Sequence, residues 1–127
     1  MPGLDEGTPL FVQFAEQLAD DIVDGQLAEG TRVPSTNELA AFYRINPATA
    51  AKGINMLVDD GVLEKRRGVG MFVALGAREQ LLATRRKLFA EQYVDPMVAE
   101  ASRLGIDRDT LESLIRETSL NNGSRTR

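Results

Sequence analysis

Three adjacent cations, Lys65, Arg66 and Arg67, run directly into Gly68-Val69-Gly70 in a chain whose formal net charge is −4. Side chains of these types hold anions: a guanidinium presents a flat fork that matches two phosphate oxygens, and an ammonium acts as a point charge. The two glycines allow a tight turn and a close approach of backbone to a ligand. Two other stretches carry donors for the same class of partner. Ser35-Thr36 opens a helical pattern, whose free amides and positive dipole end suit a phosphate oxygen. Asn46-Pro47-Ala48-Thr49 opens another, with Lys52 on the next turn. Each has a plain structural reading as well: a charged hairpin, a helix cap, a solvated helix face. Taken singly, the charged hairpin and the solvated face are the better readings, so the choice rests on the elements that position these residues.

Composition bounds that choice. The chain has 127 residues, 43% of them hydrophobic, enough for one domain or a small domain with an arm. It contains no cysteine and no histidine. Disulfides, thiolate nucleophiles, imidazole bases and the common zinc sites are therefore excluded, and no catalytic residue, cofactor or metal site is expected. An enzyme is not expected either. No apolar run reaches membrane-spanning length, and the acidic start "MPGLDEGTPL" lacks the regions of a signal peptide, so a cytoplasmic protein with no membrane partner is expected. The pI of about 4.9 argues globally against a polyanion partner. The distribution reverses this locally. Seven acids and no Lys or Arg lie between residues 5 and 29, whereas Arg32 to Lys52 holds three cations against Glu38, and Val62 to Val73 holds three against Glu64. A docking surface responds to local charge.

The elements follow from periodicity. "TPLFVQFAEQLADDIVDGQL" places Phe11, Phe14, Leu18 and Ile22 on one helical stripe, with Thr8 as cap and Pro9 in the first position. After a turn, Ser35 caps a short helix "TNELAAFY" in which Leu39 and Phe42 face inward and Glu38 completes a capping box. Asn46 caps a third helix, with Pro47 at its first position and Ala50, Ile54, Leu57 and Val58 on its inner face; Gly53 suits close packing against the first helix. "VLEKRRGVGMFVAL" reads as two β-runs joined at Arg67-Gly68-Val69-Gly70. The fold class is mainly α with a small β-hairpin, and the order helix, helix, helix, hairpin is that of a helix-turn-helix with a wing.

Beyond Gly76 only helix is expected. Leu81, Leu82, Leu88, Phe89 and Tyr93 share an apolar face, with the Arg85-Arg86-Lys87 cluster as a solvated face. Asp95-Pro96 restarts or kinks the helix, and Met97, Val98, Ala101 and Leu104 continue the stripe. Asp107 caps a last helix with Ile106 and Leu111 as a hydrophobic staple and Leu111, Leu114 and Ile115 on its buried side. The expected organisation is a winged helix-turn-helix DNA-binding domain over residues 1–75, a helical dimerisation region over 76–120 and a disordered tail over 121–127.

Residues 9 to 74 resemble the winged helix-turn-helix domain of the GntR family of bacterial transcription regulators. The anchors are Pro9-Leu10, Gly25, Gly30, Pro34-Ser35, Glu38-Leu39-Ala40, Thr49, Leu57, Gly61 and Gly68-x-Gly70-x-Phe72-Val73. The short all-helical remainder looks like the YtrA-like branch, in which two helices make a dimer, and "NPATAAK" is similar to the Asn-Pro-x-Thr start of that branch's recognition helix. The resemblance implies a homodimeric DNA-binding repressor of a pseudo-palindromic operator, with a transport operon as target. Its DNA-facing positions here are Ser35, Thr36, Asn37, Arg44, Asn46, Pro47, Ala48, Thr49 and Lys52, and in the wing Lys65, Arg66, Arg67, Gly68 and Gly70. Two of these depart from the family pattern. Asn37 stands where an arginine commonly contacts DNA, and Arg44 where a glycine is usual. With Ala48, Ala50 and Ala51 at the recognition end, base readout should be sparse.

Repression needs release, so a small-molecule effector fits the reading; Phe89, Tyr93 and Met97 are its weak candidate contacts, with membership of the core as their simpler role. Two rivals remain. A winged-helix protein-interaction module that does not bind DNA would suit the acidic pI and Asn37. A nucleotide-binding enzyme is suggested by Gly68-x-Gly70 alone, but such a fingerprint needs a helix after it and a third glycine, and position 73 is Val.

Overall fold

The computed structural model describes residues 7–118, so the expectation for the 121–127 tail lies outside the described residues. The chain divides into two compact units, one ending at Arg85 and the other beginning at Arg86. The first holds α1 (Leu10–Val23), β1 (Arg32–Val33), α2 (Thr36–Tyr43), α3 (Pro47–Asp59), β2 (Leu63–Arg66), β3 (Gly70–Val73) and most of α4 (Ala77–Phe89).

Its core forms where the periodic stripes meet. Phe14, Leu18 and Ile22 of α1 pack with Leu39 of α2, Ala50, Ile54 and Leu57 of α3, and Val33, Leu63, Met71 and Val73 of the sheet. Gly53 lets α1 and α3 touch backbone to backbone: a Cβ built there would lie 2.7 Å from the Phe11 carbonyl oxygen and 2.7 Å from Phe14 Cδ2. The capping signals for α2 and α3 hold. The Ser35 hydroxyl accepts from the Glu38 amide at 3.1 Å, the Glu38 carboxylate accepts from the Ser35 amide at 2.9 Å, and Asn46 Oδ1 accepts from the Ala48 amide at 2.7 Å.

Four local expectations are corrected. Thr8 does not cap α1; Pro9, extended at ψ 149°, is the cap residue, and its carbonyl takes the Val12 and Gln13 amides. Phe42 does not face inward but is 78% exposed, because the eight-residue α2 fills its inner face with Leu39 and Ala40. The hairpin is joined by a third strand: β1 pairs antiparallel with β3, Arg32 opposite Phe72, giving the order β1-β3-β2. Two residues are too few to show an alternation that would mark a strand. Finally, Asp95 does not cap a helix: it has helical φ −59°, and Val94 stands in the cap position. The restart itself is seen, since α4 gives way to a π-helical turn, Ala90–Val94, and α5 (Asp95–Arg103) begins at this pair with Pro96 in its first turn, where a missing backbone donor is tolerated.

The start of α4 is held from a distance. Glu29 accepts from the amides of Gly76 at 2.9 Å and Arg78 at 3.0 Å, and these bonds, Gly76 first, keep its carboxyl below the usual range. Arg85 pairs with Asp20 at 2.7 Å, so this cation of the Arg85-Arg86-Lys87 cluster is tied to α1 rather than purely solvated.

In the second unit α6 (Arg108–Glu117) is capped as expected, the Asp107 carboxylate accepting from the Thr110 amide at 2.9 Å. Ile106 and Leu111 line one small hollow with Val98 and Ala101, as a staple requires. The stripe residues do not reach a core, however. Ala101 is buried, but Leu88, Phe89, Tyr93, Met97, Val98, Leu104, Leu114 and Ile115 are all exposed. Two short helices offer too little chain to cover them.

Tyr43 closes the α1–α2 side. Its ring meets Phe14 edge-on at 5.3 Å, and its hydroxyl donates to Asp21 Oδ2 at 3.1 Å. Burial first, then the Asp21 contact, pushes the phenol up to about 12 from an ordinary 10.0. Below the ordinary value both folded and unfolded chains keep the proton, so the contribution is fully present. Between about 10 and 12 only the unfolded chain releases it, and stability falls. Tyr43→Phe is expected to flatten that part of the stability curve, checked by urea unfolding across this range.

Candidate nucleic-acid interface

The wing takes its geometry from strand register. Cross-strand pairing sets Arg32, Phe72 and Glu64 in one row and Gly70 opposite Arg66, whereas Lys65 stands opposite Met71. Since side chains alternate along a strand, Arg66 shares the outer face with Phe72, and Lys65 points the other way, toward α3. The contacts agree. The Arg66 guanidinium lies 4.0 Å above the Phe72 ring and within 3.4 Å of Glu64, and Lys65 Nζ donates to Asn55 Oδ1 of α3 at 3.2 Å. The wing is thus hydrogen-bonded to the third helix. Gly68 (φ 74°) and Gly70 (φ 139°) carry the turn in conformations that L side chains rarely adopt.

A groove of about 500 Å³ lies between the wing and the start of α2. Arg32, Ser35, Thr36, Lys65, Arg66, Arg67, Gly68 and Gly70 all line it. Its charge is one-sided: four cations and no acid, with two hydroxyls, glycine backbone and the apolar side chains of Val69 and Met71 completing the lining. Glu38 stands nearby, but its carboxylate is engaged by Ser35. The Ser35 amide, then the Ser35 hydroxyl, hold that carboxyl below its usual range, with smaller help from the charge of Arg32.

The α3 end is separate from this groove. Asn46, Pro47, Ala48 and Lys52 are exposed and Thr49 is half-buried, so the first turns of α3 present a free edge. Lys52 Nζ sits 4.6 Å from the centroid of the Phe11 ring, a contact worth about 0.5–1 kcal/mol that steadies the side chain while leaving its charge outward. Asn37 is exposed on α2. Arg44 ends α2 with φ 58° and ψ 48°, the left-handed conformation that explains a glycine preference at this place. It is the non-glycine residue with positive φ among those described.

Most of the sequence-predicted positions therefore fall on two neighbouring surfaces of one unit, and the Lys65–Asn55 bond joins them. Phe89, Tyr93 and Met97 are elsewhere, in the second unit. They are not core: all three are exposed, and the Phe89 and Tyr93 rings are 5.6 Å apart. The groove also contains Arg32, which sequence reasoning did not single out. Its signal was present, since Arg32 opens the first cationic stretch, but its place beside the wing depends on the unforeseen β1–β3 pairing.

Three helices followed by a wing, with cations on the wing and a free edge on the third helix, define a winged helix-turn-helix protein. Comparison with known proteins narrows the class. Residues 11–73 match the model for bacterial regulatory proteins of the gntR family. Over 112 residues the chain is 28% identical to the HTH-type transcriptional repressor YtrA of Bacillus subtilis, covering 88% of this chain and 85% of that protein. Its fold matches a putative GntR-family transcriptional regulator from Bacteroides thetaiotaomicron with TM-score 0.75 and 30% identity, covering 87% of this chain and 96% of that one. It also matches the DNA-binding domain of AraR, solved in complex with operator ORX1, with TM-score 0.51 and 31% identity over 58% of this chain and 90% of that one. The chain belongs to the gntR family, and its class of function is DNA-binding transcription regulation. Among the described residues no helix is long and apolar enough to cross a membrane.

Proposed function

We propose that the chain is a homodimeric repressor of a pseudo-palindromic operator. In this reading residues 1–75 are the DNA-binding part, 76–120 the dimerisation part. The first turns of α3, from Asn46 to Lys52, enter the major groove, where Thr49 and Lys52 make the contacts that alanines at 48, 50 and 51 do not. Ser35, Thr36, Asn37 and Arg44 meet the backbone beside it, and Lys65, Arg66, Arg67, Gly68 and Gly70 of the wing follow the adjacent phosphates. The observation that carries the proposal is the cationic groove beside the exposed α3 edge. The AraR domain on its operator supports duplex DNA as the ligand.

Exposed apolar side chains in the second unit support the dimer. Phe89, Tyr93, Met97, Val98, Leu114 and Ile115 are at least 38% exposed in the single chain, a pattern that a twofold partner would cover. The same exposure weakens Phe89, Tyr93 and Met97 as an effector pocket and strengthens them as interface. Two copies would set their α3 helices about one DNA turn, roughly 34 Å, apart.

A gel shift on the upstream region of the gene tests the function. Binding should weaken steeply with salt, and no shift at low salt with any upstream fragment would favour the protein-interaction reading instead. Thr49→Ala and Lys52→Ala should each weaken operator binding by about 1–3 kcal/mol while leaving dimerisation unchanged, measured by anisotropy and by sedimentation. Unchanged affinity would refute the placement of α3 in the groove.

A further inference from the structure

We infer that Arg32 is a fourth phosphate-gripping cation of this interface, seated by Gly70; the inference rests on the DNA-binding reading above. Arg32 lies outside both the helix-turn-helix and the hairpin in sequence. The β1–β3 pairing brings it to the groove that Lys65, Arg66 and Arg67 line.

Its guanidinium lies beside Gly70. A Cβ at Gly70 would meet Arg32 Nε at 2.8 Å and Cζ and Nη2 at 3.2 Å, so the guanidinium occupies the space a side chain at position 70 would fill. Gly70 therefore has two tasks: it carries the turn at φ 139°, and it leaves a seat for Arg32.

The positive charge seated there is only lightly used within the protein, where it gives minor help in holding the Glu38 carboxyl below its usual range. Among the described residues Arg32 makes no hydrogen bond or ion pair. The nearby Glu38 Oε1 already accepts from the Ser35 amide at 2.9 Å, and Ser35 Oγ from the Glu38 amide at 3.1 Å. A buried structural arginine would pair with that carboxylate; an exposed one beside Gly70, lining the groove with Ser35 and Thr36, has its N–H groups open to a ligand there. Phosphate oxygens of a DNA backbone match that fork bidentately. Arg66 is braced differently, over Phe72 and beside Glu64, so Arg32 and Arg66 approach from two sides of the outer sheet face.

The test is the salt dependence of operator binding by the full chain, read by fluorescence anisotropy for wild type, Arg32→Ala and Arg32→Lys. Each phosphate-paired cation contributes about 0.9 to the slope of log K against log salt. Arg32→Ala should lower the slope by about 0.9 per protomer and weaken binding roughly eightfold per protomer at 0.1 M salt relative to 1 M, while Arg32→Lys keeps the slope. Circular dichroism melting of both variants shows that they fold. A wild type that binds with Arg32→Ala unchanged in slope and affinity overturns the role of Arg32 and leaves the DNA-binding reading standing. A wild type that fails to bind overturns both.

Discussion

Replacing Lys65, Arg66 and Arg67 together with alanine should abolish operator binding at physiological salt while leaving the fold intact. All three are exposed, so the hydrophobic core is untouched. What the fold loses is small. The Arg66–Glu64 pair spans 3.4 Å at the surface, a type of contact worth about 0–1 kcal/mol, and the Lys65–Asn55 bond is exposed as well. What binding loses is large. Three counterion-releasing contacts carry a slope of about 2.7 per protomer, which at 0.1 M salt, referred to 1 M, is about 500-fold for each half-site. The chain is acidic overall, so its long-range field opposes approach to DNA, and this local patch must offset it. Titration against sodium chloride checks the result. A triple variant that keeps the wild-type slope would show that the wing does not track phosphates.

Single substitutions divide that effect. Arg67 should contribute most to the salt slope for the least structural change, since it lies at the turn and among the described residues has no ion pair or ring contact, whereas Arg66 is stacked on Phe72 and Lys65 is bonded to α3. Lys65 adds a second effect. Its bond to Asn55 links the wing to the α3 helix, so Lys65→Ala should loosen the register between the two surfaces proposed to face DNA as well as removing a charge.

How far the sequence could be read follows from where each signal is local. The capping box at Ser35–Glu38, the Asn46-Pro47 helix start and the Asp107 cap are set by residues within three positions of one another, and all three form as read. The stripe through Phe14, Leu18 and Ile22 is also local, and it is buried. What the sequence hid is non-local. β1 has two residues and exists because β3 lies beside it, so neither periodicity nor turn chemistry marks it. Arg32 was missed for that reason. Phe42 shows the converse error: apolar spacing put it inward, but the inner face of α2 is narrow and already full. Asp95-Pro96 was legible in part. The α-helix does begin again at this pair, but a π-helical turn with helical dihedrals leads into it, so Asp95 is not an extended cap residue. Beyond Arg86 the stripes were legible as apolar and as having too little chain around them to be covered within one copy, and they are exposed in the structure.

Gly53→Ala should destabilise the chain although every local rule favours it. Alanine in a helix interior is better than glycine by about 1 kcal/mol, and Gly53 sits inside the thirteen-residue α3. Against that gain stands the Cβ, 2.7 Å from the Phe11 carbonyl oxygen and 2.7 Å from Phe14 Cδ2. The Phe14 ring can tilt; the carbonyl belongs to the backbone of α1 and moves only with the helix. Overpacking of this kind costs about 1–3 kcal/mol, and separating α1 from α3 also opens the packing around Ala15, Leu18 and Ile54. The clash wins, with a net loss of about 1–2 kcal/mol and a fall in Tm of roughly 3–10 °C. Phe14→Leu in the same chain should recover part of the loss that Gly53→Ala adds, since it relieves the ring contact but not the carbonyl one. Gly53→Val, with two further methyl groups at the crossing, should leave too little folded protein to assay. If α3 enters the major groove as proposed, Gly53→Ala should also weaken operator binding at temperatures where the variant is fully folded. A rise in Tm would mean that α1 yields more easily than its backbone contact implies, and that the glycine serves no packing purpose.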